Sequence, residues 1–150
     1  MAWLTDTNIL LRMIQTGNPM QEAAINALGK LRTRREDLCV VPQNLVEFWA
    51  VATRPVIANG FGFTIEETSR QIEQIKSHFL LIKDDGNVFD NWEKLVRSYG
   101  VSGKPTHDAH IVAAMQTHNI QNILTFNHSD FSRYADIINV STPADLVTET

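Results

Sequence analysis

Short apolar runs alternate along the chain with longer segments in which apolar residues recur every three or four positions. Four runs cover residues 2–5, 38–41, 79–82 and 122–125, and a weaker fifth covers residues 136–140. Their apolar character is continuous rather than alternating, which is typical of strands that are covered on both faces of a parallel sheet. The pattern therefore predicts a mainly parallel sheet of four to five strands.

The segments between these runs have helical spacing and recognisable helix-start signals. Asn18 and Pro19 pair a capping residue with a proline at the first helical position, and Thr64 and Glu67 have the spacing of a capping box. Three further segments have helical apolar spacing: residues 43–53, 88–99 and 106–117. The alternation of strands and helices predicts an α/β sandwich.

Length and composition indicate one globular domain that spans residues 1–150. The chain has 150 residues, of which 43% are hydrophobic, and none of its apolar runs approaches the roughly 20 residues needed to span a bilayer. No secretory signal is evident, and the lone Cys39 in an apolar run suits a reducing compartment, so we expect a cytoplasmic protein. A net charge of −4 argues against a wholly basic surface but allows a local basic stripe for nucleic acid.

Four acidic residues follow or flank the predicted strands. Asp6 comes directly after the first run, and Glu47 lies within an apolar helix. Asp108 lies in the first turn of another helix, and Asp130 follows the fourth run. Ligands collect beyond the carboxyl ends of strands in open α/β sheets, so these side chains are candidates for one site. Each of the three aspartates also has a local alternative, as a helix or turn cap or as a charge that the helix dipole favours.

A cluster of carboxylates at one edge of a sheet has a definite chemical consequence. Crowded carboxylates repel and raise one another's pKa unless a cation joins them. Mg²⁺ or Mn²⁺, held by oxygen ligands with some waters retained, suits such a site best. Cations at carboxylate clusters activate water and bind phosphate oxygens during phosphodiester hydrolysis. The sequence has no glycine-rich loop of the nucleoside triphosphatase type, so the pattern favours a metal-dependent phosphodiester hydrolase.

Four segments of the chain resemble, in the same order, the acidic motifs of PIN-domain ribonucleases. They are LTDTNILL with Asp6, QNLVEFWAVATRP with Glu47, HDAHIVAAM with Asp108, and LTFNHSDF with Asp130. The resemblance is closest to the VapC toxins of VapBC toxin–antitoxin pairs. It implies a three-layer α/β/α sandwich and Mg²⁺- or Mn²⁺-dependent endonucleolytic cleavage of RNA. It also implies a cognate antitoxin that blocks the site, and a homodimer of toxins.

The resemblance also implies roles for individual residues. Asp6 and Asp108 would be direct metal ligands, and Glu47 would be a ligand or would orient a metal-bound water. Thr125 would support the carboxylate network through its hydroxyl, as the Ser or Thr that ends the fourth strand does in that family. Asn8 corresponds to the small polar residue beside the first Asp and would hydrogen-bond the same network.

The fourth motif departs from the family pattern. Many relatives carry an Asp where this chain has Asn127, and the available acid, Asp130, lies three residues further on. An Asn can coordinate a cation through its carbonyl oxygen but brings no charge, so we expect one well-held ion. His107 and His110 are neighbours on one helix face, but the chain lacks the HExxH motif of zinc hydrolases. Zinc hydrolysis is accordingly the weaker reading of this site.

Two other functions remain as alternatives. A haloacid-dehalogenase-type phosphatase also begins with a strand followed by Asp, but it needs a second Asp where this chain has Asn8. A non-catalytic module that binds RNA or protein would explain the fold but not the retained acids. Residues 54–63, which contain two phenylalanines, are either a loop that contacts RNA or a turn whose rings pack on the core.

Overall fold

The structure, a computed structural model, describes residues 1–148, so the predicted domain end at residue 150 lies outside the described part. Within that part, five strands form the sheet: β1 Ala2–Thr5, β2 Asp37–Val40, β3 Leu80–Leu81, β4 Asn122–Leu124 and β5 Asn139–Ser141. The α-helices of the described part are α1 Thr7–Ile14, α2 Gln21–Thr33, α3 Pro42–Thr53, α4 Ile65–His78, α5 Gly86–Tyr99, α6 Pro105–Thr117, α7 His128–Phe131 and α8 Pro143–Thr148.

The five strands form one sheet in the order β3-β2-β1-β4-β5, and every neighbouring pair is parallel. The predicted parallel sheet is therefore confirmed. The chain adds β2 and β3 on one side of β1, and then returns to add β4 on the other side. This reversal of strand order lies between β1 and β4, where Thr5 pairs with Leu124 at the carboxyl ends. A crevice for ligands is expected at such a switch point.

Successive residues of each strand point to opposite faces of the sheet, and both faces are covered. Trp3 packs with one hydrophobic cluster and Leu4 with the other. The first cluster includes buried residues from α1 to α4 and α8, and the second includes buried residues from α5, α6 and α7. The two clusters make the predicted three-layer α/β/α sandwich, which is confirmed. No helix within residues 1–148 is long and apolar enough to cross a membrane.

Two strand predictions need correction. The third strand is shorter than predicted, because Phe79 ends α4 and only two residues pair with β2. The fifth strand begins at Asn139 rather than at residue 136. The backbone amides of Ile137 and Ile138 both donate to the carbonyl of Tyr134, at 2.9 Å, so these two apolar residues lie in a turn.

One helix start is also misplaced in the prediction. The side chain of Asn18 accepts a hydrogen bond from the amide of Met20 at 2.8 Å, which makes a turn, and α2 begins only at Gln21. Thr64 does cap α4 as predicted, because its hydroxyl accepts from the amide of Glu67 at 3.0 Å.

The loop between α3 and α4 packs its aromatic rings inward. The rings of Phe61 and Phe63 meet edge to face, with centroids 5.6 Å apart, and both are half-buried against the first hydrophobic cluster. A side-chain atom at Gly60 would approach the carbonyl oxygen of Arg54 to 2.0 Å, so the loop is also closely packed along its backbone. The structural reading of residues 54–63 therefore fits better than an RNA-stacking loop.

Candidate active site

Asp6 lies at the switch point, between the end of β1 and the start of α1. Its amide donates to the carbonyl of Leu124 at 3.0 Å, which continues the contact between β1 and β4. Its Oδ1 accepts from the amide of Thr7 at 2.9 Å, so Asp6 is the N-cap of α1. Its residual exposure is 8%. The capping alternative is correct, and it uses only one of the two carboxylate oxygens.

The second oxygen of Asp6 belongs to a polar network at the ends of β1 and β4. Asp6 Oδ2 accepts from the hydroxyl of Thr125 at 2.7 Å and from the side-chain amide of Asn8 at 3.1 Å. Asn8 also donates to Thr125 Oγ1 at 3.2 Å and accepts from the amide of Phe126 at 3.1 Å. The amide of Asn127 donates to the same hydroxyl oxygen at 3.0 Å. Because two donors already face Thr125 Oγ1, its own proton is directed to Asp6.

The environment of Asp6 favours the protonated form of its carboxyl group. Burial raises the pKa of its carboxyl group from 3.8 to about 7, and the nearby charges of Glu47 and Asp108 act in the same direction. The hydrogen bonds from Thr125 and Thr7 lower this pKa but do not offset burial. A buried carboxylate beside other acids is a group that a cation would stabilise.

Asp108 lies in the first turn of α6 and is the second acid with a perturbed pKa. Burial is the largest cause of its rise from 3.8 to about 6, followed by the charges of Asp130 and Glu47. His107 and Arg133 lower the same pKa. The electrostatic effects link Asp108 to acids on α3 and α7, so the four predicted acidic residues do lie in one neighbourhood.

Glu47 lies on α3, and each of its two oxygens has a separate donor. Thr7 Oγ1 donates to Glu47 Oε1 at 2.6 Å, and Gln43 Nε2 donates to Glu47 Oε2 at 3.3 Å. Gln43 Nε2 also donates to the backbone carbonyl of His107 at 2.8 Å, and Gln43 Oε1 lies 2.6 Å from His110 Nδ1. Because the amide nitrogen faces two acceptors, Gln43 Oε1 is the acceptor and His110 Nδ1 carries a proton.

Two predicted residues of the fourth motif lie on the surface. Asn127 precedes α7 and Asp130 lies within it, and both are exposed. The amide of Asp130 donates to the carbonyl of Asn127 at 3.0 Å. Of the two, Asp130 carries a charge, and this charge raises the pKa of Asp108.

The site has the right oxygen donors for a hard cation, although they are not gathered around one point. Among residues 1–148, no three His, Cys, Asp or Glu side chains are arranged so that they could hold a metal ion together. Mg²⁺ usually binds through one or two carboxylates and keeps several waters, so it does not need such a cage. The pKa values of Asp6 and Asp108 are raised chiefly by burial and further by like charges, which a divalent cation would neutralise. By this test the residues present fit Mg²⁺ or Mn²⁺.

The histidines lie beside the acids in a separate depression of about 400 Å³. Eight residues line it: Pro42, Gln43, Val46, Asp84, Trp92, Thr106, His107 and His110. His110 is engaged by Gln43, and His107 is exposed at the start of α6. This arrangement gives no support to a zinc site.

Three polar residues of the site were missed by the sequence analysis: Thr7, Gln43 and Asn44. Gln43 lies four residues before Glu47 on the same helix, which is a spacing that could have identified it. Thr7 and Asn44 gave no such signal, because their contacts join segments that are 37 and 40 positions apart.

Two sequence comparisons with known proteins gave different results. The sequence model of the family described as PIN domain matches residues 4–137. A sequence search of curated proteins found no match.

Several solved structures share the fold. VapBC2 from Rickettsia felis, bound to a DNA fragment from its promoter, has a TM-score of 0.67 at 15% identity, over 95% of this chain and 98% of that chain. VapBC-1 from nontypeable Haemophilus influenzae has a TM-score of 0.67 at 16% identity, over 96% and 99%. VapC20 from Mycobacterium tuberculosis, a sarcin–ricin loop cleaving toxin, has a TM-score of 0.65 at 16% identity, over 92% and 98%. These matches support the predicted PIN-like architecture.

Proposed function

This chain belongs to the PIN-domain family, and from this premise we propose that it is a Mg²⁺- or Mn²⁺-dependent endoribonuclease. One observation carries the proposal: Asp6 and Asp108 have raised pKa values because burial and neighbouring acids oppose their charges. Strongly perturbed carboxyl groups at the switch point of an α/β sheet are candidates for a functional site.

The side chains of the site would have different roles in hydrolysis. Asp6 and Asp108 would hold the cation, and Glu47 would be a further ligand or would orient the attacking water. When bound, the cation lowers the pKa of water and stabilises negative charge on the scissile phosphate. Thr125 and Asn8 keep Asp6 Oδ2 in place through their hydrogen bonds at 2.7 and 3.1 Å. Burial raises the pKa of the Cys39 thiol, which is the opposite of what a nucleophilic cysteine needs.

The activity is tested by incubating the purified protein with RNA. We expect internal cleavage with Mg²⁺ or Mn²⁺ and no cleavage after EDTA treatment, because the acids alone do not activate water. Restoration by added Mn²⁺ is the control for damage by the chelator. Cleavage that persists in EDTA would falsify the metal mechanism and leave a metal-free ribonuclease.

The fourth position of the site is a choice between Asp130 and Asn127, and we propose Asp130. Its charge reaches Asp108, and its loss would weaken the attraction for a cation. Asp130→Asn is expected to lower kcat/KM for RNA about tenfold, whereas Asn127→Ala changes it less than about threefold. Both residues are exposed, so neither change should unfold the protein. A larger loss in Asn127→Ala than in Asp130→Asn would reverse this assignment.

We further propose that the protein is the cytoplasmic toxin of a type II toxin–antitoxin pair and forms a homodimer. Two of the structures with a similar fold are VapBC complexes, and a third is a toxin that cleaves the sarcin–ricin loop. Induced expression is expected to stop growth, and co-expression of a small protein from a neighbouring gene is expected to relieve the arrest. Harmless expression of an RNA-cleaving protein would instead indicate a processing nuclease.

The phosphatase alternative makes a different prediction about Asp6. An aspartyl phosphatase uses that carboxylate as a nucleophile, so a phosphate mimic such as beryllofluoride would modify it stably. Both oxygens of Asp6 accept hydrogen bonds, and Asn8 occupies the place where a second Asp is needed. Stable modification of Asp6 would support the phosphatase and contradict the nuclease.

A further inference from the structure

Asn44 is a completely buried polar residue to which the proposed reaction gives no role. It lies in the first turn of α3, and its Oδ1 accepts from the amide of Val41 at 2.9 Å. Because a backbone N–H can only donate, the oxygen of Asn44 must face Val41. The side-chain nitrogen therefore points the other way, towards Thr7 Oγ1 at 3.2 Å.

This contact decides the direction of the next hydrogen bond. Asn44 Nδ2 can only donate, so Thr7 Oγ1 accepts from it, and the proton of Thr7 is free for another partner. That partner is Glu47 Oε1, at 2.6 Å. Thr7 is only 7% exposed, so water has little access to compete for either contact. The donors therefore run in one direction, from Val41 through Asn44 and Thr7 to Glu47.

We propose that Asn44 and Thr7 form a directed relay that positions the carboxylate of Glu47 for catalysis. The proposal rests on the proposed function of Glu47. A glutamate side chain has several rotatable bonds, and α3 alone fixes only its backbone. The relay ties Glu47 Oε1 to the end of β2 and the start of α1, whereas Gln43 holds the other oxygen through a longer contact of 3.3 Å.

The direction of the relay is as important as its contacts. If Asn44 presented its oxygen to Thr7, the hydroxyl proton would go to that oxygen and Glu47 Oε1 would lose its donor. The capping contact with Val41 prevents this reversal. The side-chain amide of Asn44 therefore both caps α3 and directs the hydroxyl proton of Thr7 towards Glu47. Supporting residues of this kind affect metal affinity or activity by about 10- to 100-fold when they are removed.

Substitutions at Thr7 test the relay. Thr7→Val keeps the shape and removes the hydroxyl, Thr7→Ala removes it without a bulky replacement, and Thr7→Ser restores it. The matched control is Thr53→Val, which removes a hydroxyl from α3 that bonds only the carbonyl of Trp49, at 2.8 Å. Each protein is assayed for Mn²⁺ affinity without RNA, by the free-Mn²⁺ signal in electron paramagnetic resonance. RNA cleavage at saturating Mn²⁺ and the unfolding temperature are measured in parallel.

Glu47→Ala shows which quantity depends on Glu47, Mn²⁺ affinity or kcat. Thr7→Val and Thr7→Ala are expected to lower that same quantity by about 10- to 100-fold, with Thr7→Ser and Thr53→Val close to wild type. In the Glu47→Ala background, Thr7→Val should have no further effect, because the relay acts only through Glu47.

Two results would overturn the relay: a Thr7→Val protein within about twofold of wild type in both quantities, or a full effect that persists without Glu47. The first of these results, combined with a lower unfolding temperature of Thr7→Val, would indicate that Thr7 has a purely structural role. Failure of the proposed function has a different signature, since the wild-type protein itself would then neither cleave RNA nor bind Mn²⁺.

Discussion

Replacement of Asp6 by Asn is expected to lower metal-dependent RNA cleavage by about 1,000-fold. A bound divalent cation supplies several kcal/mol of transition-state stabilisation, and each 1.36 kcal/mol corresponds to about a factor of ten in rate. Asp6→Asn removes one of the two negative charges proposed to hold that cation. The same substitution should abolish growth arrest on expression, because the arrest depends on cleavage. The rate is measured under single-turnover conditions at saturating Mn²⁺.

The substitution should leave the fold intact. Asp and Asn are about equally good N-cap residues, so the amide of Thr7 keeps its acceptor at the start of α1. The change also removes a buried charge that neighbouring acids oppose. An Asn side-chain nitrogen at this position cannot accept from Thr125 and Asn8 as Asp6 Oδ2 does, so the unfolding temperature of the variant is measured beside its activity. A loss of activity at an unchanged unfolding temperature is then assigned to the carboxylate.

Asp85→Asn is the matched control for this prediction. Asp85 is also an N-cap, accepting from the amide of Asn87 at 2.8 Å, but it is exposed and affects neither of the raised pKa values. It should cleave RNA like the wild-type protein. If Asp6→Asn retained more than about a tenth of the wild-type rate, Asp6 would not be a metal ligand.

The fold could be predicted because its signals are local. Buried parallel strands appear in the sequence as continuous apolar runs, and helices appear as apolar residues at helical spacing. The errors occurred where a side-chain hydrogen bond or a turn overrode the pattern. Asn18 bonds the amide of Met20 and delays α2, and the carbonyl of Tyr134 holds Ile137 and Ile138 outside β5.

The candidate site could be predicted only in part. The four acids were identified because the ends of strands and the starts of helices can be located in the sequence. Thr7 and Asn44 were not identified, because their contacts join α1 and α3, which are far apart along the chain. The cap at Asp6 uses only one carboxylate oxygen, since Oδ1 caps α1 while Oδ2 faces Thr125. The observed cap therefore does not conflict with the proposed role of Asp6 as a metal ligand.

The metal-free protein is expected to become less stable as the pH rises from about 4 to about 7. The pKa of Asp6 is about 7 in the folded protein and 3.8 as its ordinary value, so the folded state binds more protons than the unfolded state between these limits. The free energy of unfolding must then fall with rising pH across this window. The difference between the two pKa values of Asp6 corresponds to a decrease of roughly 4 kcal/mol in the free energy of unfolding. Asp108 lowers the stability in the same direction up to about pH 6.

This effect is measured by urea unfolding in EDTA at a series of pH values, for wild type and for Asp6→Asn. The wild-type curve should fall towards neutral pH, whereas the variant, which has no Asp6 proton to lose, should fall much less. Mg²⁺ at about 100 times its dissociation constant should restore roughly 2.7 kcal/mol to the wild-type protein at neutral pH, because it binds only the folded state. The variant should gain less from Mg²⁺.

Equal pH curves for the two proteins would show that Asp6 is not the acid whose charge the fold opposes. A decline in wild type without rescue by Mg²⁺ would show that this opposed charge serves a purpose other than holding a cation.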